Sequence, residues 1–162
     1  MSNDRKHLEK IIGDALSGKG AHAATGNLFD GLDWKSAGQR PGGAPHSVFQ
    51  LLNHLCFWQD WAAEWLEGGS PKIPKHAAGS WPGAPAPSSA AEWQAAVRNF
   101  QSSLKRLSQQ SRRGDLLATR GKRTRLGMLQ AIASHNSYHG GQVVALRQML
   151  GKWPPPSGGV TW

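Results

Sequence analysis

The sequence predicts an all-α protein, a four-helix bundle with a long crossover between its second and third helices. Three observations predict it. Four segments carry apolar residues at helical spacing, S-x-x-Q and S-x-x-E caps or Gly and Pro stops bracket them, and no segment shows sustained strand alternation. The 162 residues, 38% hydrophobic with 8 tryptophans, suit a single domain spanning 1–162 with one core.

The first helix is expected from about Asn3 to Leu16, with Leu8, Ile11, Ile12 and Leu16 turned inward and Gly18 as its stop. A long polar stretch follows, from Gly18 to Pro45, with Leu28, Phe29, Leu32 and Trp34 scattered through it and a short helix expected around Trp34 to Gln39. The second long helix opens at Ser47, where Ser47 and Gln50 form a capping box, and runs to about Glu67 before Gly68-Gly69. Ser89 and Glu92 offer the same box to the third, which runs to about Gln110 with Trp93, Val97, Phe100, Leu104 and Leu107 inward. The fourth runs from near Thr124 to Gly151, where Trp153-Pro154-Pro155-Pro156 forbids continuation.

Between the second and third helices lies a Pro/Gly/Ser-rich stretch, Gly69 to Ser88. A helix of about 20 residues is ~30 Å long. A linker of similar residue count, at up to ~3.3 Å per residue, can run back along it with slack. These two helices can therefore be parallel. The tail from Lys152 to Trp162 suits neither helix nor strand, and Trp153 and Trp162 are expected to pin it to the bundle or to a second subunit.

No stretch approaches the ~20 apolar residues of a membrane span, and Met1-Ser2-Asn3-Asp4-Arg5-Lys6 has no signal-peptide core. The single cysteine, Cys56, cannot form an internal disulfide and excludes a cysteine-based zinc site, so a cytoplasmic location is expected. The formal charge of +9 favours acidic partners. Much of the excess lies between Lys105 and Arg125, opposed there only by Asp115. The segment 120–125 reads mainly as a solvated loop, with weak anion binding expected where it enters the fourth helix. No motif supports a nucleic-acid-binding module.

Chemistry concentrates in three histidines. His135 and His139 are one helical turn apart, on a stripe with Met128, Ile132, Val143, Leu146 and Leu150. His54 holds the same kind of position on the second long helix, in line with Leu51, Trp58, Trp61 and Trp65. Three imidazoles turned into a core need partners for their ring nitrogens, and one divalent metal would satisfy all three; a buried polar network is the alternative. Imidazole suits Zn, Ni, Cu or Fe. Zn or Ni is favoured here, with Fe or Mn as further options. Three ligands leave a coordination position open, as catalytic sites do. Asn136 stands where an H-E-x-x-H peptidase would carry its glutamate, which argues against that chemistry. Gln142, one turn beyond His139, could support a ligand or fill a polar gap. His22 and His46 could reach the open face as acid or base, or simply be exposed. Asn53 and Tyr138 are expected to point off the inner face, and Cys56, about 200° around the helix from His54, to stay away from the metal.

The stretches Ala44-Pro45-His46-Ser47-Val48-Phe49-Gln50-Leu51-Leu52-Asn53-His54 and His135-Asn136-Ser137-Tyr138-His139-Gly140-Gly141-Gln142 resemble the DinB/YfiT-like superfamily, as does Leu146-Arg147-Gln148-Met149-Leu150-Gly151 with the following Trp-Pro-Pro-Pro. The resemblance implies a bundle of up-down-down-up order, a metal held by His54, His135 and His139, and homodimers. It also implies kinship with thiol-dependent enzymes such as bacillithiol transferases and mycothiol-dependent maleylpyruvate isomerase. The function expected is a metal-dependent transferase or hydrolase that activates a low-molecular-weight thiol or water. The alternative is a non-catalytic metal-binding or structural bundle protein, with anion binding as a further property.

Overall fold

The structure is a computed structural model and describes residues 3–159. Five α-helices make up most of it: α1 Asn3–Ser17, α2 Trp34–Ala37, α3 Val48–Leu66, α4 Ala90–Gln110 and α5 Arg125–Met149. Single 3₁₀ turns at Thr25–Asn27, Pro41–Gly43 and Ala77–Ser80 punctuate the loops. A two-stranded antiparallel hairpin, β1 Thr119–Arg120 and β2 Arg123–Thr124, precedes α5. Two residues per strand around Gly121 are too few to show alternation, which is why no strand was expected there.

Local chemistry sets the helix ends. Ser47 accepts from the Gln50 amide while Gln50 Oε1 accepts from the Ser47 amide, a complete capping box that starts α3. At α4 only half of the expected box forms. Ser89 Oγ accepts from the Glu92 amide, but the Glu92 carboxylate turns one residue further back and takes the Ser88 N–H and hydroxyl. Asp33 caps α2 through the amides of Lys35 and Ser36, and Thr124 caps α5 through the Gly127 amide.

Side-chain pairs fix how the helices run. Cys56 meets Ala96, Gln59 meets Ser103, and Glu67 meets Arg106 and Gln110, so α3 and α4 are parallel. Between α3 and α5 the order reverses: Leu66 pairs with Arg125, Trp58 with His135, and His54 with His139. The crossover returns along α3 as its length allows. The carbonyls of Ser80, Pro82 and Pro85 accept in turn from His54 Nδ1, Gln50 Nε2 and Ser47 Oγ.

Two apolar clusters fill the interior. One gathers Phe29, Val48, Leu52, Leu55, Phe100 and Val143; the other gathers Ile12, Leu16, Ala63, Leu107, Leu129 and Ile132. Leu8 is half-buried, but Ile11, expected inward, is 64% exposed. Because α1 rests chiefly on α5, its buried stripe is narrow and follows the four-residue spacing Leu8, Ile12, Leu16, which leaves Ile11 on the flank.

The loop after α1 is locked down by a buried arginine of α5. Arg147 is 1% exposed and donates to the carbonyls of Leu28, Asp30 and Lys152, with its guanidinium over the Trp153 ring. Gly140 makes room beside it, since a Cβ there would stand 3.1 Å from Leu28. Trp153 thus does help to hold the tail, whereas Trp162 lies outside the described residues. Among the described residues no helix is long and apolar enough to cross a membrane.

Candidate metal centre

His54, His135 and His139 meet where α3 and α5 face each other, at the level between the two apolar clusters. One nitrogen from each ring falls within 4.8 Å of the others, and the ring centroids are 4.5 to 5.0 Å apart. Tetrahedral Zn–N bonds of about 2.0–2.1 Å place ligand nitrogens about 3.3 Å apart. His54 Nε2 and His135 Nε2 lie at 3.2 Å. The three side chains could hold a metal ion.

Supporting bonds set which nitrogens face inward. His54 Nδ1 is 3.1 Å from the Ser80 carbonyl, which can only accept, so Nδ1 carries the proton and Nε2 is bare. In the same way Gln142 Oε1, 2.7 Å from His139 Nδ1, leaves His139 Nε2 bare. These are the outer partners that orient a metal-binding imidazole. His135 differs: its Nδ1 is buried without a hydrogen-bond partner. An acceptor-rich, donor-poor cluster of imidazole nitrogens is the chemistry a divalent cation satisfies.

Burial keeps His54 and His135 neutral. It pushes His54 and His135 down to about 4, helped by neighbouring histidines and, at His54, opposed by the bond to Ser80. His46 is also lowered, first by burial and then by Arg40 and His139. No carboxylate joins the cluster among the described residues.

Trp81, from the crossover, is sandwiched between two imidazoles. Its ring lies 3.8 Å from His54 at 9° and 3.7 Å from His46 at 12°. Two parallel rings that close to one indole centroid must lie on opposite faces, so Trp81 separates His46 from His54. His46 is therefore half-buried behind the cluster, neither a member of it nor freely exposed. His22 does not reach it either, being held by Ser137 Oγ and the Ala23 carbonyl.

The remaining expectations divide. Gln142 supports His139, as one of its two readings required. Asn53 turns back to the Phe49 carbonyl, and Cys56 faces the Ala96 carbonyl on α4 with its thiol pushed up to about 12 by burial. Tyr138 is 67% exposed yet touches His139 edge-on at 4.9 Å. In the basic segment, Arg120 donates to the Trp65 carbonyl and Arg125 to that of Leu66, so both cap the C-terminus of α3 rather than face solvent freely. Trp81 was not among the residues expected at the site. A large aromatic in a Pro/Gly-rich loop was the available signal, but nothing local said which residue it would cover.

A mainly helical protein with three core histidines at the meeting of two antiparallel helices defines the class as a helical protein with a possible three-histidine metal site. A model of the DinB superfamily matches residues 19–143, and the chain belongs to that superfamily. No curated protein and no solved structure matches the chain significantly.

Proposed function

We propose that the chain is a metal-dependent enzyme of the transferase or hydrolase type, with His54, His135 and His139 holding a divalent ion, Zn or Ni in preference to Fe or Mn. In this reading residues 1–162 act as one DinB-like domain, a four-helix bundle of up-down-down-up order. It works in the cytoplasm as a homodimer, on a small molecule. The observation that carries it is the asymmetric burial of the cluster. His54 and His139 are only 6% and 8% exposed, whereas His135 is more open and lines a pocket walled by Trp58 and Trp61.

A bound divalent cation lowers the pKa of a thiol or water beside it and so supplies a nucleophile at neutral pH. Ser80 and Gln142 keep the inward nitrogens of His54 and His139 unprotonated. Trp81 covers one face of His54, and Trp58 stands edge-on to both His54 and His135, which keeps bulk water from that side. With no carboxylate base in the cluster, a low-molecular-weight thiol, which loses its proton more readily than water, suits the site better.

The competing reading is a structural ion in a non-catalytic bundle protein, favoured by the depth of His54 and His139. Turnover by metal-loaded protein across thiol/electrophile pairs and simple esters, abolished in His135→Ala, is the expected result for an enzyme. No turnover, together with a sharp fall in melting temperature on chelation, would establish the structural role instead.

A further inference from the structure

The pocket beside His135 has a volume of about 300 Å³. Its walls are Trp58 and Trp61 from α3, Ile73 from the crossover, and Met128 and Ile132 from α5. Arg123, at the end of the hairpin, completes the lining. We propose that this pocket binds a small organic acid with a compact apolar or aromatic body, its carboxylate taken by Arg123 and its other end directed at the histidine cluster. The inference rests on the metal-dependent reading for what happens at that other end, though the carboxylate contact stands apart from it.

Arg123 differs from the arginines around it. Arg120 and Arg125 are committed to the carbonyls of Trp65 and Leu66, and Arg106 to Asp60 and Glu67. Arg123 meets only Met128 Sδ, at 3.9 Å, a weak acceptor, and has no ion pair among the described residues. A second donor is also without an acceptor: the indole N–H of Trp61 is buried with no partner. A pocket with an uncommitted, solvent-facing guanidinium at its mouth, apolar walls and no acidic side chain in its lining selects a ligand that brings negative charge and little other polarity.

Spacing sets the size. Met128, Ala131, Ile132 and His135 form one strip of the α5 surface along the pocket. Seven residues of helix separate Met128, which Arg123 touches, from His135, or about 10 Å at 1.5 Å per residue. A single aromatic ring with a short acid chain spans that gap. A guanidinium takes a carboxylate in a two-bond fork, which adds direction to charge. Ile73, 66% exposed, and the exposed Arg123 stand at a mouth open to solvent.

The test is calorimetric titration of the full chain, metal-free and metal-loaded, with 3-phenylpropionate and its neutral amide. Wild-type protein is expected to bind the acid at least tenfold tighter than the amide in both forms. Arg123→Gln should abolish that preference and Arg123→Lys should keep part of it, with unchanged circular dichroism. The Trp61 indole resonance, identified by its loss in Trp61→Phe, should shift on adding acid. No measurable binding of the acid, equal binding of acid and amide, or a preference that survives Arg123→Gln would overturn the proposal. Because the metal-free arm needs no ion, failure of the metal reading alone leaves the acid preference in place.

Discussion

Trp81 lies flat on His54, centroids 3.8 Å apart and planes 9° from parallel, while its neighbour Ser80 accepts the His54 Nδ1 proton. The crossover therefore both orients and covers the most buried of the three imidazoles. Trp81→Ala should leave the helices intact, since Ser80, Pro82 and Pro85 still bind α3, but let water reach His54. Metal affinity, measured by competition with a chromophoric chelator, is expected to fall roughly tenfold. Unchanged affinity would show that the stack is ornamental.

Gln142 has one bond to His139 and an otherwise exposed position. Gln142→Ala should cost little stability and weaken metal binding by about 10- to 100-fold. Gln142→Glu, which keeps the acceptor, should restore most of it. Equal behaviour of the two variants would contradict the orienting role.

The neutral histidines make stability pH-dependent. The folded chain holds His54 and His135 near 4 against an ordinary 6.5, so below 6.5 the unfolded chain binds more protons. Their contribution is complete above about pH 6.5, is lost as pH falls toward 4, and then levels off. At about 1.4 kcal/mol per tenfold difference in proton affinity, each of the two is worth a few kcal/mol. Denaturant melts of metal-free protein between about pH 7 and pH 4 should show the loss. His54→Gln with His135→Gln should flatten it, and an equally steep curve in that variant would assign the loss elsewhere.

Arg147 satisfies three loop carbonyls from a buried position, and burial lowers its pKa against the opposing pull of Asp30. Arg147→Leu strands the carbonyls of Leu28, Asp30 and Lys152 and should destabilise the protein by about 3 kcal/mol or more, read as a drop in denaturation midpoint. A loss under about 1 kcal/mol would mean that water replaces the guanidinium.

The helices were legible because their signals are local: a cap three residues from its partner, apolar residues three and four apart, glycine at a stop. His135 and His139 were legible as a pair for the same reason, and His54 by its place on an apolar stripe. What lay beyond reach depends on residues distant in sequence. Nothing near Trp81 announces that its loop folds back onto His54, and nothing near Arg147 says that residues 28 and 30 lie beside it. Glu92 shows that a local signal can be half wrong, because its carboxylate passes over the Ser89 N–H and takes the N–H and hydroxyl of Ser88, one residue further back. Periodicity also could not say that α1 would have one main neighbour, which is what left Ile11 exposed.

The central claim is that the three imidazoles share one ion. The most direct measurement is elemental analysis of untagged protein purified without a metal column, alongside His54→Ala, His135→Ala and His139→Ala. A single divalent ion per chain in the wild type, and almost none in each variant, is expected. Wild-type protein free of metal even after incubation with Zn or Ni, or variants that retain the ion, would contradict it.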